Sequence, residues 1–129
     1  MKKYENFCNA LFNLKDIYSY NEPYNNVEMT GLVALYEICF EQAWKAMKEV
    51  LEQQGFAQEK TGSPRIVLKT AYAAGMIQNE ELWMAALVAR NNVAHSYNKE
   101  VALDIIKQTK DEFYKMFVIL KEELEANWI

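Results

Sequence analysis

"ALYEICFEQAWKAMKEVLEQQG", residues 34–55, spaces Leu35, Tyr36, Cys39, Phe40, Ala43, Met47, Val50 and Leu51 three and four positions apart. At about 100° per residue, that spacing gathers them on one side of an α-helix. Extended back through Leu32 to Met29, the pattern predicts a helix over 29–54, stopped by Gly55. The other side carries Glu37, Glu41, Lys45, Lys48, Glu49 and Glu52 and reads as a solvated face. There Glu41 stands four residues before Lys45, an ion pair worth at most about 0.5 kcal/mol.

The same periodicity recurs on both sides of this segment. Tyr4, Phe7, Cys8, Leu11, Leu14 and Tyr18 predict a first helix over 2–18, and "SYNEPYNN" concentrates turn formers into a loop. After a glycine turn in "EKTG", Ser63 is placed as an N-cap ahead of Pro64 at the first helical position, which predicts a short helix over 64–74 ending at Gly75. Asn79 caps the next helix, with Glu80 and Glu81 at the positive end of its dipole, and that helix carries Arg90 in its last turns. From a cap at Asn98, the stripe Ala102, Ile105, Ile106, Thr109, Phe113, Met116, Phe117, Leu120 and Leu124 predicts about thirty residues of closing helix. With no alternating strand pattern and no repeat, the expected fold is all-α: an antiparallel four-helix up-and-down bundle with one extra short helix, in a single domain over 1–129.

Composition narrows the chemistry. The 129 residues carry 14 Lys and Arg against 18 Asp and Glu, a net charge of −4, which counts against a general binder of nucleic acid. Cys8 and Cys39, each among apolar residues, read as buried reduced thiols, the state expected of a cytoplasmic protein. "MKKYENFCNALFNL" mixes Glu and Asn into its apolar positions, unlike a signal peptide, and no apolar run approaches the ~20 residues of a membrane helix, so no membrane association is expected. One histidine and two distant thiols exclude the usual protein-only zinc sites, and "TGSPR" lacks the ending of a phosphate-binding loop, so no metal and no cofactor are expected. Nothing in the sequence around Glu37 and Glu41, or Glu80 and Glu81, would raise a carboxyl pKa for acid-base work. Trp44, Trp83 and Trp128 at helical spacing read as core in preference to a base-stacking surface.

One stretch remains. "ARNNVAHSYNKE", residues 89–100, brings a guanidinium, two carboxamides, the sole imidazole and a phenol within eight positions. Asn91 and His95 are four apart and share a helical face, while Arg90 and His95 are five apart and differ by about 140°. Two readings are open. In one, the helix loosens and Arg90, Asn91, His95 and Tyr97 converge on an anionic group, with His95 as general acid or base and Arg90 holding a phosphate. In the other, His95 satisfies carbonyls at a helix C-terminus, Arg90 is on the surface and Tyr97 is in the core. If RNA were cleaved through its 2′-hydroxyl with two imidazoles, they would have to come from two chains.

Arg90-Asn91-x-x-x-His95-x-Tyr97 resembles the Arg-x4-6-His signature of HEPN domains, in its Arg-x4-His-x-Tyr form. The resemblance extends over residues 5–125. Tyr36, Glu37, Phe40, Glu41, Trp44 and Lys45 follow the Phe-Glu-x-x-x-Glu-x-x-Trp-Lys pattern of the nucleotidyltransferase substrate-binding branch, with Tyr36 where Phe is usual. "SPRIVLKTAYAAGMI" and "ELWMAALVARNNVAHSY" match it through Ser63, Pro64, Gly75, Ile77 and Trp83, with Ser96 where Thr is usual. The resemblance implies a homodimeric bundle whose partner is a small nucleotidyltransferase made as a separate chain. It further implies a metal-independent ribonuclease, toxic when unrestrained, with RNA as substrate and the partner enzyme as an antitoxin that transfers AMP to the motif tyrosine. Carried over by position, Arg90 and His95 are catalytic, Asn91 supports them and Tyr97 is the modification acceptor. Glu37, Glu41, Trp44 and Lys45 are then candidates for partner or dimer contact. A substrate-binding subunit without catalysis is the alternative that the same branch implies.

Overall fold

The computed structural model describes residues 1–56 and 62–129, and every described element is helical. In chain order these are α1 (Lys2–Leu14), α2 (Asn26–Gln53), α3 (Pro64–Ala73), α4 (Glu80–Asn92), α5 (Lys99–Gln108) and α6 (Tyr114–Asn127). The glycine turn expected over 59–62 falls mostly outside the described residues.

Local chemistry accounts for the helix ends. The first helix gives up α geometry at Leu14 and tightens into a 3₁₀ turn, Lys15–Ser19, in place of the expected run to Tyr18. The long helix starts three residues earlier than its apolar stripe predicts. Asn25 accepts from the Glu28 amide at 2.8 Å and Glu28 accepts in turn from the Asn25 amide at 2.9 Å, a reciprocal capping box that satisfies two free amides. Ser63 caps α3 ahead of Pro64, Asn79 caps α4 and Asn98 caps α5, all as expected. Gly55 and Gly75 take positive φ after α2 and α3, where a β-carbon would be strained.

The closing helix is continuous but not uniform. Ile105, Thr109, Phe113 and Phe117 are each four apart, and on an ideal α-helix three such steps drift by about 120° around the axis. A π turn over Thr109–Phe113, between α5 and α6, absorbs the drift and keeps all four side chains in the core. Buried Thr109 contributes by donating its hydroxyl to the Ile105 carbonyl at 2.7 Å.

Cross-chain bonds give the helix directions. Lys3 meets Glu49 and Tyr4 meets Glu125, so the start of α1 lies against the ends of α2 and α6. Tyr18 reaches the Lys110 carbonyl and packs edge-on to Tyr114 at the other end. Gln54 donates to the Trp128 carbonyl, which makes α2 and α6 the parallel diagonal pair of an up-and-down bundle. Phe7, Tyr36, Phe40, Trp83, Phe113 and Phe117 form its aromatic centre, with contacting rings 5.3–6.3 Å apart. Among the described residues no helix is long and apolar enough to cross a membrane.

Both cysteines are free thiols, yet only Cys39 is buried. Cys8 is half-exposed beside Tyr4, against the expectation from its apolar neighbours in sequence. Burial pushes the Cys39 thiol well above its ordinary pKa. Iodoacetamide at neutral pH should therefore modify Cys8 and spare Cys39 in the folded chain, with both labelled in guanidinium; peptide mass mapping reads the difference.

Candidate functional site

Tyr36, Phe40 and Glu41 of α2 lie where α4 crosses it, and together they fix the turn that bears Arg90. Phe40 packs on Trp83, and the buried Tyr36 hydroxyl donates to the carbonyl of Ala86. Ala86 is four residues before Arg90, so the phenol bonds the same carbonyl that the Arg90 amide uses in the helical pattern. Burial, reinforced by Cys39 and Glu41 and opposed by the nearby Arg90 charge, pushes the Tyr36 phenol above its usual range.

The Arg90 side chain does not extend into solvent. Its Nε donates to Glu41 Oε2 at 2.6 Å, its Nη2 to Glu41 Oε1 at 3.3 Å and its Nη1 to Asn91 Oδ1 at 3.2 Å. The pair is half-buried, with side chains 30% and 24% exposed. Glu41 is itself held by the indole of Trp44, which donates to Oε1 at 3.0 Å. This replaces the expected Glu41–Lys45 pair: among the described ion pairs Glu41 belongs to Arg90. Trp44 is buried, so any contact it influences passes through Glu41, while Glu37 and Lys45 are half-buried on the same face.

Beyond Asn92 the chain tightens into a 3₁₀ turn, Val93–His95, instead of loosening. At about 120° per residue over those three positions, Arg90 and His95 end up about 160° apart, wider than on an ideal α-helix. A reverse turn follows, closed by the Asn98 amide on the His95 carbonyl at 3.0 Å. Ser96 satisfies the Val93 carbonyl with both its amide, at 3.0 Å, and its hydroxyl, at 2.7 Å. These bonds meet the needs of the helix end, so the imidazole is not required there, and it makes no hydrogen bond among the described residues. Tyr97, at the turn's third corner, is 81% exposed, which overturns the reading that puts it in the core. His95 and Tyr97 sit edge to face with ring centroids 6.1 Å apart.

The four motif residues thus form two adjacent pairs, Arg90 with Asn91 and His95 with Tyr97. No hydrogen bond joins the pairs among the described residues. Exposed Val88 and the half-buried Val101 border a groove of 540 Å³ between α4 and α5, which runs up to Asn92. Among the described residues no cluster of His, Cys, Asp and Glu could hold a metal ion.

An all-helical bundle with an Arg/His motif at the end of α4 and an exposed tyrosine on the next turn defines a HEPN-like protein. The chain belongs to the family described as nucleotidyltransferase substrate binding protein like, whose model matches residues 2–126. It is 25% identical over 101 residues to a probable ribonuclease HepT of Haemophilus influenzae, covering 77% of this chain and 69% of that one. A crystal structure from Thermus thermophilus superposes with a TM-score of 0.82 at 23% identity, over 93% of this chain and 99% of the other. A Haemophilus influenzae structure, described as revealing the fold of a substrate binding domain of a nucleotidyltransferase, gives 0.80 at 21% identity over 95% and 99%. These two likenesses establish the shared fold.

Sequence spacing missed Glu41 as the partner of Arg90, because a pair 49 positions apart leaves no local signal. The buried phenol of Tyr36 was legible only as one apolar position in a stripe. Replacing Tyr36 by Phe should cost about 1 kcal/mol, the loss of one buried hydrogen bond whose acceptor keeps its helical partner. Urea unfolding at fixed pH measures it.

Proposed function

We propose that this chain is the HEPN subunit of a two-chain nucleotidyltransferase/HEPN module of the toxin-antitoxin type. In this reading it acts as a homodimeric, metal-independent ribonuclease in the cytoplasm. The observation that carries the proposal is the free imidazole of His95 beside the exposed phenol of Tyr97, one turn after an arginine that is already oriented. The name of the Haemophilus relative points the same way.

The chemistry requires no metal. The 2′-oxygen of a ribonucleotide attacks the adjacent phosphorus, a base takes the hydroxyl proton, and an acid protonates the departing 5′-oxygen, leaving a 2′,3′-cyclic phosphate and a 5′-hydroxyl. Arg90 stabilises the negative charge on the phosphoryl oxygens in the transition state, and Asn91 helps to aim it. With one imidazole per chain, base and acid come from two copies of His95, which makes a dimer the economical form. The wide angle between Arg90 and His95 within one chain fits a site shared across a two-fold axis.

Tyr97 is the control point. Transfer of AMP from ATP joins the phenolic oxygen to the α-phosphorus as the phenol gives up its proton, and the bond to the β-phosphate breaks to release pyrophosphate. The product adds a bulky anion next to Arg90 and His95, which fills the phosphate site and repels RNA. Its position at the corner of a reverse turn leaves the phenol accessible to a separate enzyme.

The second reading, a non-catalytic substrate-binding subunit of a minimal nucleotidyltransferase, is favoured by one feature: Arg90 is charge-matched by Glu41 in a chain of net charge −4. An RNase assay in EDTA separates the two. Wild type should cleave RNA, and Arg90→Ala and His95→Ala should each lower the rate by about 100-fold or more; cleavage that survives the double substitution sinks the ribonuclease. Coexpression with a nucleotidyltransferase encoded in a neighbouring reading frame, which this reading requires, should raise the mass of the Tyr97 peptide by one AMP unit or more, and Tyr97→Phe should abolish the gain.

A further inference from the structure

We propose that Glu41 is the positioning residue of Arg90: it grips the guanidinium along its Nε and Nη2 side and so fixes the direction in which the remaining donors of Nη1 and Nη2 meet a phosphate. The proposal rests on the phosphate-site reading above and concerns what prepares that site. A guanidinium has five N–H donors in a rigid plane. Glu41 takes one from Nε and one from Nη2, and Asn91 takes one from Nη1. Two donors remain, one on each terminal nitrogen, and a charge-assisted bond from these to an oxyanion is what the grip leaves available.

Three features indicate that the grip is built and not incidental. Glu41 Oε1 is shared between Nη2 and the Trp44 indole, so the carboxylate cannot rotate without losing both. Tyr36, on the same helix, holds the backbone carbonyl four residues before Arg90, which fixes the base of the arginine as Glu41 fixes its head. The pair is half-buried, where the interaction is screened less than at an open surface. An arginine ordered in advance has already lost its rotamer freedom, so a ligand does not have to order it. Glu41 also neutralises the resting charge, so the site favours a ligand that fits the remaining donors over polyanions in general.

Arginine Nε–Hε resonances test this without requiring catalysis. In wild type the Arg90 Nε–Hε signal should be shifted from the other arginine and slow to exchange with water near neutral pH. Glu41→Gln, close in shape, should weaken it and Glu41→Ala should return it to a free-arginine position, with circular dichroism unchanged in both. An Arg90 signal indifferent to both substitutions overturns the proposal. Inorganic phosphate is then titrated into wild type. If it leaves Arg90 unmoved while the Glu41 dependence holds, the positioning stands and the phosphate-site reading fails. Where RNA is cleaved, Glu41→Gln should lower kcat by about 100-fold with KM changed far less; a change confined to KM counts against positioning.

Discussion

The ring of Tyr36 is the point through which the helices of this protein constrain one another. It stacks on Phe113 with centroids 5.3 Å apart, lies tilted against Phe117 at 6.2 Å, and sends its hydroxyl across to the Ala86 carbonyl of α4. One side chain therefore couples α2 to the π turn, to α6 and to α4. Phe113 and Phe117 can both reach it because the π turn corrects the phase of the closing helix. With its phenol satisfied, the ring is fully buried at no unpaired polar cost.

From that contact the candidate site follows as a sequence of fixations along α4. The backbone is held at Ala86, the guanidinium at Arg90 is held by Glu41 and Trp44, and the chain then leaves the helix through a tight turn closed by Ser96 and Asn98. Burial decreases along the path. Arg90 is half-buried and bonded on two sides, whereas His95 and Tyr97 stand on the exposed turn. In the function proposed, a pre-ordered cation beside an accessible imidazole and phenol suits phosphate binding together with access by a modifying enzyme.

Much of this was legible in the sequence, and the reason is local. Ser63-Pro64, Asn79 with two glutamates and Asn98 are caps whose chemistry is complete within four residues, and each starts a helix where expected. The apolar stripes identified the core for the same reason, since periodicity needs only the chain's own geometry. The errors occurred where a second segment intervened. Lys45 is the local partner of Glu41, yet a guanidinium from another helix displaces it with better geometry. For Tyr97, spacing left the core and exposed readings both open, because the turn that Ser96 and Asn98 close carries no periodicity. Cys8 sits in an apolar stripe whose edge the bundle leaves partly uncovered.

By itself, then, the sequence determined the helices, their caps, the faces that meet in the core and the presence of an Arg-x4-His-x-Tyr motif at the end of α4. Only the tertiary structure decided how the motif's residues are oriented: that Arg90 turns inward to Glu41, 49 positions away in the chain, and that Tyr97 is left uncovered by the rest of the bundle. The physical reason is that backbone bonds and periodicity are short-range along the chain. The orientation of a charged or aromatic side chain depends instead on partners that only folding brings near.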